Sequence, residues 1–357
     1  MPRLLLAATN TCSAGCLAGH SGKEFTGFGG QGLPRTIDLK QSDRVHGTVA
    51  DSVLCISADE LLNSNEDDLV DVVRSACIEP GFFFVDLSSS QQESLSTALV
   101  QMERFFSLPD DDPRKQDVRQ DDTADTGWVP KFTEPAYQPD TVSSLEAYDF
   151  DIENVARSDD DRWPRLSNFR IDLTACWDDW TKLGDYILRL IARAANMPAD
   201  FLSEHCNSQA LSTMRLLHYG PEKISTDRNV GISAHTDFEC ITLLYQTAPG
   251  LELLDVKGSW LDAPVRDGCI VVLLDDMLEH WTNGLFRATG HRVRNTEELR
   301  FSIVKFVAAN DDIEIAPLPQ FVTAESPQRY PPISQEEHID NEIQRAKGNS
   351  RLKPVPQ

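Results

Sequence analysis

Nowhere in this 357-residue chain is there a run near the roughly 20 apolar residues that a membrane-spanning helix requires, so none is expected. Basic side chains are scarce too: 33 Lys and Arg stand against 57 Asp and Glu, a formal charge of −24. Phosphate backbones and anionic bilayers both call for a basic footprint, so neither nucleic acid nor a membrane is an expected partner. Cysteine is sparse. Cys12, Cys16, Cys55, Cys77, Cys176, Cys206, Cys240 and Cys269 are scattered through a chain long enough to bury a large core without cross-links. No disulfide framework is expected, Cys12 and Cys16 lack the second half of a zinc motif, and the compartment reads as reducing. The opening segment carries one Arg and a Leu/Ala run broken at once by Asn10 and Thr11, unlike a secretory leader. The aspartate runs at 110–112 and 159–161 lack the glycine and closing Glu of a calcium-binding loop and read as solvated. What remains is a cytoplasmic protein, expected as a monomer with a homodimer left open.

Residues 1–32, rich in Gly, Ser and Ala, read as a poorly ordered extension. Leu33 to Leu39 reads as a strand. From Ser57 onward Leu61, Leu62, Leu69, Val72, Val73 and Cys77 recur at helical spacing up to Pro80-Gly81, and the GFFFVDL that follows reads as a strand. A second helix is expected over Gln91–Phe106, then a polar, irregular excursion over residues 110–164. Leu166–Asn196 predicts a long amphipathic helix through Ile171, Leu173, Trp177, Trp180, Leu183, Ile187, Leu190 and Ile191, and Ala199–His205 a short helical turn. After Ala210 the character changes. MRLLHY, ISAHTD, ITLLYQ, LELLDV, SWLDAPV, CIVVLLDD, the stretch around TGHRV and RFSIVKFVAA are short strands separated by Gly, Pro, Asp and Asn. The expected class is mainly β with bracing helices, a sandwich or small barrel. The expected division is the extension 1–32, an α/β region 33–205, an all-β core 206–315, and a C-terminal helix (Glu336 to Lys347) with a flexible tail in 316–357.

His235 and Asp237 stand two residues apart, which on a strand puts both on one face. An imidazole and a carboxylate facing a barrel interior are costly unless something binds them. With His291 they form two histidines and one carboxylate, the facial triad that leaves positions open on non-haem iron(II). Zinc accepts the same ligands, so the triad alone does not establish redox chemistry. Arg300 and Ser302 repeat the two-residue spacing in an apolar run. An inward guanidinium there suits a ligand carboxylate, to which the hydroxyl adds a donor. An internal Arg–Asp ion pair would account for Arg300 but not for the whole set.

Residues ~33–315 resemble the isopenicillin N synthase-like, 2-oxoglutarate and iron(II)-dependent dioxygenase family. The resemblance is carried by Gly231-Ile-Ser-Ala-His235-Thr-Asp237, Thr242-Leu-Leu-Tyr-Gln246, Gly250-Leu-Glu-Leu, Trp260, Asp275 to Gly284, His291-Arg-Val293 and Arg300-Phe-Ser302. Looser matches are Ile37-Asp38-Leu39, Gly81-Phe82-Phe83, Phe105 to Pro109, Gly127-Trp128 and Trp163-Pro164. The overall look is similar to fungal secondary-metabolism members. The resemblance implies a distorted double-stranded β-helix, or jelly roll, with iron(II) on His235, Asp237 and His291. It implies 2-oxoglutarate held by Arg300 and Ser302 with help from Tyr219, O2 as oxidant, and ascorbate maintaining activity. The family's Tyr-Pro segment departs here: Gly220 stands for the proline, and Leu217 for a polar residue. His218 and His280 fall on no ligand position and read as structural or pocket residues. By family analogy Phe238, Leu244, Phe306 and Trp128 wall the substrate, a small organic compound of natural-product type. Hydroxylation, desaturation and ring closure or expansion all use this scaffold. An oxidase that does without 2-oxoglutarate, a non-catalytic binding protein of the same fold and a zinc hydrolase remain open alternatives.

Overall fold

Adjacent leucines Leu216 and Leu217 are both buried, but in separate hydrophobic clusters. The two-residue period of a strand produces that split wherever a sheet is covered on both faces. Here helices cover one face and a second sheet covers the other. The computed structural model describes residues 47–49, 53–63, 66–121, 125–133, 142–143, 145–157, 162–207, 210–221, 229–294, 298–311 and 313–346. The extension 1–32, the strand expected at Leu33–Leu39, Cys12, Cys16, the aspartates at 159–161 and residues 347–357 lie outside these.

In chain order the strands are β1 (Gly47–Thr48), β2 (Cys55–Ser57), β3 (Phe82–Asp86), β4 (Gly127–Val129), β5 (Val142–Ser143), β6 (Glu146–Asp151), β7 (Thr213–Tyr219), β8 (Asn229–His235), β9 (Ile241–Gln246), β10 (Leu251–Leu254), β11 (Trp260–Asp262), β12 (Cys269–Leu274), β13 (His291–Arg294) and β14 (Arg300–Val307). The major sheet has 8 strands in the order β2-β3-β12-β9-β14-β7-β6-β4, and the minor sheet 6 in the order β1-β11-β10-β13-β8-β5. Pairing is antiparallel except for β2–β3, β1–β11 and β5–β8. The two sheets form a distorted double-stranded β-helix, a jelly roll braced by helices. Strands β3 and β12 read as nearly continuous apolar runs because both of their faces are buried.

The helical side is built as its spacing predicts. Phe169–Ala194 runs for 26 residues and buries Leu173, Cys176, Trp177, Trp180, Leu183, Ile187, Leu190 and Ile191. Gly184 brings this helix close to β14: a Cβ there would lie 3.5 Å from Val307. Ile171, expected in the apolar stripe, is 69 % exposed. Helices Glu66–Ile78 and Ser89–Phe106 pack beside it, the latter opened by a capping box between Ser88 and Gln91. The helix read from Ser57 is described over Ala58–Asn63 and Glu66–Ile78, and residues 64–65 between them lie outside the described residues. Among the described residues no helix is long and apolar enough to cross a membrane.

The excursion expected over 110–164 is instead partly ordered into the edge of the major sheet, with β4 and β6 extending it past β7. Its polarity conceals a strand because the charges have buried partners. Glu146, buried on β6, accepts from Lys115 Nζ at 2.8 Å, from Trp128 Nε1 at 2.9 Å and contacts His218 Nδ1 at 2.7 Å. Lys115 is fully buried against the rings of Phe105 and Trp128. Removing the acid leaves that buried ammonium with the exposed Asp110 carboxylate, 3.4 Å away. Glu146→Ala is therefore expected to cost about 3–5 kcal/mol, the usual consequence of breaking a buried pair from one side. Denaturant unfolding checks this; a loss below 1 kcal/mol would mean that Lys115 finds another partner.

Candidate active site

Strand β14 sorts its own side chains. Phe301, Ile303 and Val307 join the helical-side core, whereas Val304 and Phe306 belong to the cluster between the sheets. Arg300 and Ser302 share the inner parity and are both 1 % exposed. The expectation that this pair faces one interior is met. That interior is closed from the other side by β8 and β13, which oppose His235 directly to His291, ring centroids 4.2 Å apart. The register slips between His291 and Val293, so β8 carries a bulge just before His235, the kind of irregularity that re-aims a side chain. Gly231 permits the close approach beneath: a Cβ would sit 3.0 Å from Val293 and 3.1 Å from the Tyr219 ring.

Asp237 is reached differently from the expectation. Strand β8 ends at His235, and Asp237 lies in the turn beyond it, held by the Asp276 amide donating to its carbonyl at 3.1 Å. The turn still delivers the carboxylate. His235, Asp237 and His291 offer ligand atoms all within 4.8 Å of one another. Asp237 Oδ1 lies 3.4 Å from His235 Nε2 and 3.6 Å from His291 Nε2. Ligands each about 2.1 Å from one ion are separated by about 3.0–3.4 Å, close to this spacing. The second ring nitrogens are already committed: His235 Nδ1 lies 2.8 Å from the Ser233 carbonyl and His291 Nδ1 3.2 Å from that of Thr289. Each Nδ1–H donating to its carbonyl leaves the Nε2 lone pair aimed at the centre. Asp237 Oδ2 is buried with no protein partner.

The electrostatics favour the ligand forms. Burial, reinforced by His235 and opposed by Asp237, pushes the His291 imidazole down to about 4. Burial raises the Asp237 carboxyl, but His291, His235 and the Thr242 hydroxyl outweigh it and hold it at about 2. Behind it Asp275, which accepts from Thr242 Oγ1 at 3.0 Å, is driven well above the carboxylate range by burial and by the Asp237 charge. A neutral His291 and an ionised Asp237 are the forms in which these side chains bind a divalent cation, so the residues fit iron(II). The supporting role of Asp275 was not read from sequence, although it stands in the quoted Asp275-to-Gly284 motif.

At the other end of β14, Arg300 Nε donates to the Ala248 carbonyl at 3.2 Å and Nη2 to Gln246 Oε1 at 3.1 Å. Its plane lies over the Tyr219 ring, with Cζ 4.5 Å from the centroid. Nη1 and Ser302 Oγ are buried with no protein partner. Among the described residues no aspartate pairs with the guanidinium, which leaves a donor fork of the right shape for an incoming carboxylate. Gln246 as the positioning partner was missed, although it closes the quoted Thr242-to-Gln246 segment and has inward parity on β9.

Among the expected wall residues, Leu244 and Phe306 lie in the cluster between the sheets. Phe238 is half-buried just past Asp237, its ring 6.0 Å from His338. Trp128 lies elsewhere: it is 1 % exposed in the helical-side core, and Val129 takes the inward position. The reason is the indole N–H, which would lack an acceptor inside and finds Glu146 outside. His218 likewise faces outward, against the rings of Phe106 and Phe301. His280 stacks on Tyr330 at 4.4 Å with its Nδ1 unpartnered. Neither joins the triad.

Burial, then the nearby His338, pushes His280 down to about 4 from 6.5, against the pull of Asp276. As pH falls the unfolded chain takes up this proton first, so stability is full above about 6.5 and drains between about 6.5 and 4. His280→Phe keeps the stack and is expected to remove about 2 kcal/mol of the stability difference between pH ~7.5 and ~5. Unfolding curves at both pH values give the comparison; an unchanged difference would mean that His280 is already charged in the fold.

The profile of the 2OG-Fe(II) oxygenase superfamily matches residues 211–309, and that described as non-haem dioxygenase in morphine synthesis, N-terminal, matches 53–168. The chain is 30 % identical over 275 residues to the 2-oxoglutarate-dependent dioxygenase citB of Monascus ruber, covering 70 % of this chain and 81 % of that one. It is 28 % identical over 302 residues to the 2-oxoglutarate-Fe(II) type oxidoreductase hxnY of Emericella nidulans, covering 79 % and 86 %. A Caulobacter crescentus structure described as of the 2OG-Fe(II) oxygenase family superposes with TM-score 0.71 at 27 % identity, covering 83 % of this chain and 99 % of that one. With the triad, the fold and these likenesses in agreement, this chain belongs to the 2OG-Fe(II) oxygenase superfamily and is a dioxygenase acting on a small molecule.

Proposed function

We propose that this chain oxidises a small natural-product-type compound in the cytoplasm, using 2-oxoglutarate anchored by Arg300 and Ser302 beside iron(II) on His235, Asp237 and His291. The observation that carries the reading is the pair of unpartnered buried donors, Arg300 Nη1 and Ser302 Oγ, on the same face as the triad's cavity. Bound iron with its 2-oxo acid would supply O2 activation, with release of succinate and CO2, and oxidation of a substrate C–H bond. The chain does the rest. The imidazoles present Nε2 because Ser233 and Thr289 hold their other nitrogens. Gln246 and the Ala248 carbonyl fix the guanidinium plane, and Tyr219 supports its face. Leu217, where the family has a polar residue, keeps that wall apolar, so the anchoring falls on Arg300 and Ser302. Leu244, Phe306 and Phe238 offer apolar contact near the triad and help exclude water.

All proposed ligands fall within 206–315, the part proposed as the catalytic core, with 33–205 bracing it. The two relatives named above as 2-oxoglutarate enzymes support the co-substrate. The described cysteines, Cys55, Cys77, Cys176, Cys206, Cys240 and Cys269, are free thiols, which supports the cytoplasm. The test is succinate formation by iron-loaded protein across a panel of small metabolites. Succinate that depends on iron(II), on O2 and on a panel member supports the proposal. Product formed with O2 but no 2-oxo acid would mark an oxidase instead, and activity restored by zinc a hydrolase.

A further inference from the structure

Cys55 and Cys269 stand 214 residues apart in the sequence, yet their sulfurs lie 3.8 Å from each other. Strand β3 runs between them: Cys55 on β2 pairs with Phe84, and Cys269 on β12 pairs with Asp86. Phe84 and Cys269 both belong to the cluster between the sheets, so parity puts the two thiols on the inner side of the major sheet. They differ in access. Cys55 is exposed on a three-residue edge strand, whereas Cys269 is 9 % exposed. Burial, then the adjacent Cys55, pushes the Cys269 thiol up to about 12. Cys269 therefore keeps its proton at neutral pH, and Cys55 is the sulfur that a solvent-borne oxidant meets first. A second pair among the described residues, Cys206 and Cys240, is hydrogen-bonded but buried on both sides, and has no such access.

The thiol pair is joined to the site by a short stretch of backbone. The Cys269 amide donates to the Arg266 carbonyl at 3.1 Å, at the end of the connection from β11 to β12. The start of that connection is held by Gln246, whose Nε2 donates to the Ala263 carbonyl at 3.1 Å and lies 3.5 Å from that of Pro264. Gln246 Oε1 in turn accepts from Arg300 Nη2 at 3.1 Å. The segment from Ala263 to Cys269 thus ties the thiols to the side chain that orients Arg300. A disulfide holds its sulfurs about 2.0 Å apart, so closing this pair draws them together by about 1.8 Å. Strand β2 ends the sheet and pairs only with β3 among the described residues, so it is free to take up part of that movement, and Cys269 with its connection takes up the rest.

We propose that Cys55 and Cys269 form a modification site, which peroxide closes to a disulfide that disturbs Gln246 and weakens 2-oxoglutarate binding, and which a thiol reductant reopens. The effect on binding rests on the reading of Arg300 given above. The Cys55 sulfur attacks peroxide: an S–O bond forms, the O–O bond breaks, and the departing hydroxide takes the thiol proton and leaves as water. The Cys269 sulfur then displaces the sulfenic oxygen, which leaves with the Cys269 proton as a second water while the S–S bond forms. Two electrons pass from the sulfurs to the peroxide. The test uses the full chain loaded with manganese(II), which avoids radical formation from iron and peroxide. The protein is treated with hydrogen peroxide, its remaining thiols are alkylated after denaturation, and its peptides are mapped without reductant. Calorimetric titration of 2-oxoglutarate is run before treatment, after it, and after dithiothreitol. A Cys55–Cys269 cross-link is expected, with Cys206 and Cys240 still alkylated. Affinity for 2-oxoglutarate should fall about tenfold and recover with dithiothreitol, the scale of disturbing a residue that orients a binding group. Cys55→Ser should keep its affinity through the treatment. Oxidation of Cys55 without the cross-link, a cross-link that leaves affinity unchanged, or an equal loss in Cys55→Ser overturns the proposal. Reduced protein that does not bind 2-oxoglutarate would overturn the reading of Arg300 and the coupling with it, a failure that the peptide map keeps distinct from failure of the thiol pair to close.

Discussion

Asp237→Asn is expected to lower substrate-dependent succinate formation by on the order of 10^3-fold or more, well beyond the ~10–100-fold cost of disturbing a residue behind a metal ligand. The change is nearly isosteric, so its effect lies in charge. Asp237 supplies the one anion among the three ligands, in a pocket where Asp275 is held neutral by burial and by Asp237 itself. An amide in its place offers a weaker, uncharged oxygen, and Asp275 loses the neighbour that kept it protonated. Three measurements go together: iron content after reconstitution, turnover, and melting temperature with and without iron. The variant's metal-free melting temperature should stay near that of the wild type, while the iron-induced rise disappears. A variant that binds iron and turns over within tenfold of the wild type would remove Asp237 from the ligand set, whatever the geometry suggests. Loss of folding without metal would instead point to a structural role for the carboxylate.

Arg300→Met is expected to act in opposite directions on binding and on stability. Truncating one partner of a buried, hydrogen-bonded charge pair costs about 2–5 kcal/mol, or roughly 30-fold to several-thousand-fold in affinity. The concentration of 2-oxoglutarate needed for half-maximal rate should rise by that factor. The co-substrate-free protein should not suffer. In it Arg300 is a fully buried cation, lowered from its usual value by burial, with Nη1 lacking an acceptor. An apolar side chain of similar length relieves that cost, so the variant should melt no lower than the wild type and show no stabilisation by 2-oxoglutarate. A wild-type protein at about 100 times its dissociation constant gains about 2.7 kcal/mol from the ligand, which sets the scale of the missing shift. Arg300→Lys should rescue little, because an ammonium cannot satisfy Gln246, the Ala248 carbonyl and a carboxylate in one plane. A variant that melts much lower and binds 2-oxoglutarate normally would show that Arg300 is an internal brace.

The parts of this molecule legible in its sequence are those governed by short periods. MRLLHY, ITLLYQ and RFSIVKFVAA, short runs set off by Gly, Pro, Asp and Asn, located β7, β9 and β14, and two-residue spacing put Arg300 and Ser302 on one face. The helical stripe of Phe169–Ala194 was equally plain, apart from Ile171. The grouping of His235, Asp237 and His291 was right although the strand argument for Asp237 was not, because a turn carries it to the same centre. What could not be read was pairing between charges distant in sequence. Glu146-Ala-Tyr-Asp-Phe-Asp151 looks like loop until Lys115, His218 and Arg215 are seen beside it. Trp128 went astray for the same reason: periodicity proposes a face, but a buried N–H goes where its acceptor is. Gln246 and Asp275 act through partners on other strands, which no local pattern records.

The C-terminal helix expected over Glu336–Lys347 runs over Gln335–Ala346, and its first residue reaches the heart of the enzyme. Gln335, fully buried, donates to the Phe238 carbonyl at 2.8 Å and accepts from the Ala309 amide at 3.1 Å, while His338 contacts Asp276 at 2.9 Å. One side chain thus buckles the turn that bears Asp237 to the far end of β14. On the ribosome, all three ligands and Arg300 are synthesised before the segment that fastens their turn. The metal pocket therefore takes its final shape only after this late segment has emerged and docked, and a chain cut short before Gln335 would carry every ligand yet leave the pocket unlatched.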